Sequence, residues 1–294
     1  MVTDREFAII GAGAVGRSLA AALGARGARV AAVASRRLES ARETAALANC
    51  PFATTDAAEA ARRASAVALC VPDDAVATVC SEIADGSGFK PGDVALHFSG
   101  ALSSHALAAA QAAGACVLSF HPVQTFARPD ADAFRGVACV LEGDDAGIAF
   151  GTELAVFLGA GAATIRAEDK ALYHAALCVA CNYLVTLADL GAGLLARAGL
   201  AEPTLPALLP LLRGAVENLA RVGLPAALTG PISRGDLATV RAHLAALGEQ
   251  APSLLPLYRT VGTATVAIAL RKGSIAEEQA AELRKLLDGT EGAE

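Results

Sequence analysis

EFAIIGAGAVG, residues 6–16, carries an apolar run directly into a G-x-G-x-x-G spacing. Glu6 to Ile10 read as a buried strand, and AVGRSLAAALGARG (14–27) reads as a helix ending at glycine. In that setting the three glycines have separate duties. Gly11 permits a tight turn, Gly13 lets a pyrophosphate approach the backbone of Ala12, Ala14 and Val15, and Gly16 lets helix and strand pack closely. The helix start then offers free N–H groups and the positive end of its dipole to a phosphate. The competing reading is a glycine-rich turn that holds nothing.

Working outward, ARVAAVASR (28–36) reads as the second strand and ends in Ser35-Arg36-Arg37. An NAD site usually places a carboxylate there for the ribose 2′-hydroxyl. A carboxylate would repel a 2′-phosphate, whereas a serine hydroxyl and a guanidinium would bind it. The expected cofactor is therefore NADP(H); the alternative is that the arginines only begin a solvated helix. Apolar runs near 50–54, 65–74, 93–100, 115–120, 136–143 and 163–167 alternate with helical patterns. That alternation predicts a mostly parallel, doubly wound sheet covered on both faces. After residue 167 only helical patterns remain, near 168–198, 204–222, 236–249, 252–271 and 275–287. The expected organisation is a Rossmann domain over residues 1–167 and an all-helical domain over 168–294 that shapes the substrate site and pairs two subunits.

Composition narrows the class. The chain has 294 residues, enough for two cores, and a net charge of -6 without a Lys/Arg block, which speaks against nucleic acid. The opening MVTDREFAIIGAG lacks the basic and apolar regions of a secretory signal, so a cytoplasmic location is expected. Residues 171–188 carry no formal charge, yet they include His174, Asn182 and much alanine, and the expectation is a buried helix of a soluble protein and no membrane span. The 7 cysteines fit free thiols in a reducing compartment, and Cys178-x-x-Cys181 is expected to pack in the core. No metal site is expected, because no second ligand pair has suitable spacing.

The candidates for chemistry lie at strand ends and in the helical half. Val71-Pro72-Asp73-Asp74 ends the fourth strand, where Val71 and Pro72 could border the nicotinamide ribose and an aspartate would cap the next helix. Ser99 and Gly100 follow the fifth strand, at the edge where open α/β sheets bind ligands, while His97 reads as a core histidine. His121-Pro122 follows the sixth strand, with Gln124 and Thr125 able to add hydrogen bonds. Lys170 and His174 stand one helical turn apart on one face, and Asn182 lies further along. Hydride transfer to a carbonyl or imine needs a proton donor, for which lysine or histidine serves, and asparagine can orient the substrate. In the loop 229–236, Thr229 and Arg234 could hold a substrate carboxylate, with Asp236 capping the next helix.

Seven motifs in this order, GAGAVG, VASRR, VPDDAV, HFSGALSS, FHPVQTFA, DKALYHAA–CNYL and LTGPISRGD, resemble a bacterial oxidoreductase family. That family pairs a Rossmann-like domain with a helical domain of unknown function 2520, within the wider 6-phosphogluconate dehydrogenase-like superfamily that includes pyrroline-5-carboxylate and ketopantoate reductases. The resemblance implies NADP(H) on the first domain, substrate in an interdomain cleft and a homodimer built by the helical domains. Several superfamily members carry a catalytic lysine with asparagine four residues later; Lys170 matches the lysine, but His174 stands where the asparagine would be. His121-Pro122 resembles the His-Pro of prephenate dehydrogenases. The expected activity is hydride transfer between NADPH and a small carbonyl or imine substrate bearing an acid group, ketopantoate-like as the best single candidate. A non-catalytic NADP(H) sensor and a deazaflavin-dependent NADP oxidoreductase are the alternatives.

Overall fold

The computed structural model describes residues 1–289. Two compact units divide the chain, Met1–Ala180 and the part from Cys181 on. The pattern change expected at residue 167 thus precedes the division between the units, and the last five residues of the expected helical domain lie outside the described ones.

In the first unit, strands β1 (Glu6–Ile10), β2 (Arg29–Ala34), β3 (Ala53–Thr54), β4 (Ala66–Leu69), β5 (Val94–His97), β6 (Cys116–Pro122), β7 (Ala138–Gly143) and β8 (Gly161–Thr164) form one sheet of order β3-β2-β1-β4-β5-β6-β7-β8. Helices α1 (Ala14–Ala25), α2 (Leu38–Leu47), α3 (Ala57–Ala61), α4 (Asp73–Asp85), α5 (Ala108–Ala112) and α6 (Asp145–Phe157) connect them. The first six strands follow the Rossmann order, with its switch point between β1 and β4. Alternation along β1 explains the two covered faces. Phe7 and Ile9 join a core with Leu19, Leu23 and Phe150, whereas Ala8 and Ile10 join another with Val67, Leu69 and Ile83.

The pairing of β6 with β7 is antiparallel, against seven-residue β6 running to Pro122. Residues 123–137 contain no helix, so the chain turns back without the crossover that a parallel neighbour needs. The last strand also lies earlier than the expected 163–167.

Beyond β8 the chain is helical: α7 (Lys170–Leu177), a π-helical turn (Cys178–Asn182), α8 (Tyr183–Arg197), α9 (Leu205–Val222), α10 (Leu237–Gln250), α11 (Leu255–Lys272) and α12 (Glu277–Asp288). The second unit has its own core, built from Ile232, Val240, Val266, Leu283 and Leu287. Asp236 caps α10 by accepting the Thr239 N–H at 3.0 Å.

Three sequence expectations need correction. The stretch 171–188 is not buried within the chain; every residue of it is exposed or half-buried. An uncharged helix reads the same in sequence whether its own chain or another body covers it. Two helical spans, Ala167–Arg197 and Pro252–Lys272, are in fact long and apolar enough to cross a membrane by length and composition. Cys178 and Cys181 belong to the same stretch and are half-buried and exposed, not core residues. Finally, neither Asp73 nor Asp74 caps α4, because Pro72 occupies the cap position and Asp73 is already helical.

The start of α1 tolerates no side chain at two of its glycines. Gly11 has φ +114°, and a Cβ there would strike the Cys70 carbonyl. A Cβ on Gly16 would strike the Gly11 carbonyl oxygen and come within 3.1 Å of the Cys70 side chain. The nearest obstacle in each case is a backbone carbonyl, which cannot swing aside. Gly16→Ala should therefore cost about 1–3 kcal/mol, an overpacking penalty read as a lowered urea midpoint at unchanged slope.

Candidate functional site

The carboxyl ends of β1, β4, β5 and β6 border a cavity of about 450 Å³ lined by Gly13–Val15, Cys70–Pro72, Phe98, His121, Pro122, Gln124 and Phe126. This is the edge at which a Rossmann sheet holds its ligand. Of the expected site residues, it collects Gly13, Ala14, Val15, Val71, Pro72, His121 and Gln124.

Fit to a dinucleotide can be tested at Gly13. A Cβ there would meet no protein atom within 4 Å, so the missing side chain leaves room that the protein does not itself use. Gly13 is also the N-cap of α1, with no side-chain cap and no acidic residue in the first turn. The unpaired N–H groups of that turn thus face an open cradle suited to phosphate. At the end of β2, Ser35 is held by its N–H on the Thr54 carbonyl at 3.2 Å. Arg36 is exposed and has no ion-pair partner among the described residues, while exposed Arg37 stands at the N-cap position of α2 with no side-chain capping bond and lies 3.7 Å from Glu39. These groups suit a 2′-phosphate better than a bare 2′-hydroxyl.

A second layer of polar groups sits behind the cavity. Lys170, at the start of α7, is 2% exposed, and its ammonium donates to the Ser99 carbonyl at 3.1 Å and the Ser119 hydroxyl at 2.7 Å. Burial pushes its amine down to about 8, partly offset by the negative charges of Glu142 and Asp73. Glu142, on β7 and 6% exposed, accepts the Ser104 N–H at 2.6 Å and the Ser104 O–H at 2.8 Å. Ser99 is occupied within its own loop, where its hydroxyl donates to Asp73 at 2.7 Å and accepts from the N–H groups of Ala101 and Leu102. Phe98, rather than Ser99 or Gly100, lines the cavity.

His97 is fully buried, accepting the Ser99 N–H on Nδ1 and leaving Nε2 to donate to the Ser103 carbonyl at 3.1 Å. His121, half-buried, has Nδ1 2.6 Å from the Tyr173 hydroxyl. A Cβ on Gly100 would lie 2.8 Å from His121 Nε2 and 2.8 Å from His174 Cδ2, so the two imidazoles flank a bare backbone carbon. His174 in turn has Nδ1 4.0 Å from Cys178 Sγ.

Lys170 and His174, one turn apart, thus reach the same edge of the sheet, at Ser99 and Gly100. Asn182 ends the π-helical turn and is exposed in the second unit, as are Thr229 and Arg234. Sequence reasoning missed Ser104, Ser119, Glu142 and Tyr173. Glu142 gave a usable signal, as a lone acid at the end of the apolar run VACVLE. Tyr173 stands three residues after Lys170, on the face already singled out.

Residues 6–90 match the family model described as NADP oxidoreductase, coenzyme F420-dependent, and residues 137–265 match the domain of unknown function 2520. These are the two parts whose combination the motifs resemble. No curated protein matches the sequence. Among solved structures, a protein from Bacteroides fragilis described as an NADP oxidoreductase is 26% identical with a TM-score of 0.72, covering 91% of this chain and 100% of that one. A pyrroline-5-carboxylate reductase from Coxiella burnetii is 16% identical with a TM-score of 0.56, covering 96% of each chain. A reductive aminase from Aspergillus terreus, solved with NADPH and ethyl-5-oxohexanoate, is 16% identical with a TM-score of 0.59, covering 97% of this chain and 93% of that one. The last two likenesses concern the fold.

Burial pushes both His97 and His121 down to about 4 from an ordinary 6.5. For His121 the positive charge of Lys170 adds to the effect. Between those values the unfolded chain binds more protons than the folded one, so stability is full above about 6.5 and falls as pH drops toward 4. His121→Asn removes one of the two groups and should lose less stability than the wild type over that window, measured by urea unfolding at a series of pH values.

Proposed function

We propose that this chain, an NADP-type oxidoreductase by its matched regions, transfers hydride between NADPH and a small carbonyl or imine substrate bearing an acid group. The observation that carries this reading is the cavity at the sheet's carboxyl edge, which joins the glycine turn to His121. Gly13, Ala14 and Val15 would hold the pyrophosphate, Ser35, Arg36 and Arg37 the 2′-phosphate, and Val71 and Pro72 the nicotinamide ribose. When bound there, NADPH supplies the hydride.

Reduction leaves negative charge on the substrate oxygen or nitrogen, and a proton must reach it. His121 is the imidazole that lines the cavity, and burial holds the Cys70 thiol protonated, so His121 would be the group that meets that atom. Lys170 would act from behind, its buried charge stabilising the same atom through the Ser99–Ser119 region. His174, across Gly100 from His121, would be the second proton source. Gln124, which lines the same cavity, would bond the substrate. A ketopantoate-like 2-keto acid is the substrate class that this reading favours.

A second reading has its own support. The model matched by residues 6–90 is described as coenzyme F420-dependent, so a deazaflavin could be the hydride partner of NADP. A deazaflavin absorbance change upon mixing with NADPH and enzyme would favour it. A non-catalytic NADP(H) sensor would instead bind NADPH with no turnover on any acid-bearing carbonyl or imine.

We also propose that the protein is a cytoplasmic homodimer. In the second unit, α8 and α9 leave Val185 and Leu211 each 70% exposed, with Leu187, Val216 and Leu219 also exposed. Soluble chains rarely leave so much aliphatic surface uncovered, and a second copy offers the same surface in return. Light scattering without detergent should give twice the 29.5 kDa chain mass. A monomer stable at micromolar concentration would refute the pairing, and a requirement for detergent would move the apolar helices to a membrane.

The cofactor assignment is tested by titrating NADPH and NADH into the wild type and Arg36→Ala. NADPH should bind more tightly, and the variant should lose about 10–100-fold in NADPH affinity, the loss of one charge-assisted contact, with NADH unaffected. Failure of both nucleotides to bind would remove the oxidoreductase reading.

A further inference from the structure

Tyr173 is one of 3 tyrosines in the chain and has no part in the chemistry assigned above. Its hydroxyl is 2.6 Å from His121 Nδ1, and the two rings meet edge to face, with centroids 5.6 Å apart and planes at 84°. His121 Nδ1 is the one hydrogen-bond partner of that hydroxyl among the described residues, and His121 Nε2 has no protein partner among them. A half-buried phenol proton needs an acceptor. If Nδ1 carried the imidazole proton, Nδ1–H would donate to the phenol oxygen, and the phenol proton would then have no protein acceptor among the described residues. With the phenol donating instead, Nδ1 accepts and the imidazole proton resides on Nε2.

From this geometry we infer that Tyr173 is a positioning residue: its O–H locks His121 in the Nε2–H form and aims that free N–H past the bare Cα of Gly100 as the hydrogen-bond donor to a bound oxygen or imine nitrogen. The inference rests on the proposed function only for the identity of the acceptor; the tautomer itself is a property of the protein alone. Burial agrees with it from both sides. It pushes the Tyr173 phenol up to about 12 and His121 down to about 4, so at neutral pH the pair is a neutral phenol on a neutral imidazole. Lys170 makes the arrangement possible. Held by Ser99 and Ser119, it fixes the first turn of α7, and Tyr173, three residues later, projects over the same edge of the sheet. Gly100 completes it, because a methyl group there would occupy the space beside Nε2.

The test is nitrogen NMR on the whole protein labelled with 15N-histidine, with the His121 signals assigned by their loss in His121→Asn. The wild type should show His121 protonated on Nε2, with Nδ1 as the bare nitrogen. In Tyr173→Phe, which keeps the ring, the two nitrogens should shift toward each other as the tautomers mix. An Nδ1–H tautomer in the wild type, or unchanged His121 signals in the variant, would overturn the inference. A kinetic arm separates it from the oxidoreductase reading. With an accepted substrate, Tyr173→Phe should lower kcat roughly tenfold, as expected for a lost orienting hydrogen bond, at unchanged NADPH affinity. In a His121→Gln background, where an amide supplies the donor, the same substitution should change kcat little; an equal loss in both backgrounds would mean that Tyr173 acts on something other than His121. If no substrate is turned over, the functional reading fails while the NMR result still decides the tautomer.

Discussion

A buried ammonium needs acceptors supplied by the protein, and at Lys170 that requirement organises the edge of the sheet. Its two bonds reach the Ser99 carbonyl after β5 and the Ser119 hydroxyl on β6, so a side chain of α7 ties neighbouring strands of the first unit together. Isolated burial of such a charge would cost several kcal/mol. Here the cost is met partly by those dipoles and partly by the negative charges of Glu142 and Asp73, and the remainder is visible as a depressed amine. Once the first turn of α7 is fixed, Tyr173 and His174 have little choice of position, and the imidazole of His121 is enclosed between them and the bare carbon of Gly100.

The same edge therefore has two chemical layers. The outer one, with the glycine turn, Val71, Pro72 and His121, lines a cavity and offers backbone N–H groups and one uncommitted imidazole nitrogen. The inner one holds the Lys170 ammonium on the Ser99 carbonyl and the Ser119 hydroxyl, and the Glu142 carboxylate on Ser104, while exposed Asp73 accepts from the Ser99 hydroxyl. Hydrogen-bonded charges behind an open cavity are the arrangement expected where a reacting group must be held without reorganising during the reaction.

The legibility of these layers in the sequence differs for a physical reason. The glycine fingerprint and strand alternation are local: each signal spans a few residues, and the strand order follows from the connections they allow. Lys170 and His174 were also accessible, since their spacing alone places them on one face. The partners of Lys170 were not, because Ser99 and Ser119 lie 71 and 51 residues away and only the folded sheet brings them together. The reversal at β7 had a faint local signal in the helix-free stretch before it. The exposure of α8 had none, because periodicity reports that a face is apolar and never what covers it.

That last distinction also bears on the cysteines and the π-helical turn. Cys178, Cys181 and Asn182 were read as parts of one buried helix, yet the helix widens by one residue at Cys178–Asn182, where the two compact units divide. A π-helical turn displaces the following helical face relative to the preceding one and costs hydrogen-bond geometry, so it persists where something else depends on the changed direction. Upstream of it the helix serves the sheet edge through Lys170, Tyr173 and His174. Downstream, α8 packs on α9 in the second unit and presents Val185 and Leu187 outward. The two cysteines of the turn were assigned to a core because the run around them is uncharged, yet Cys178 is half-buried and Cys181 exposed, and an apolar run says nothing about what covers it.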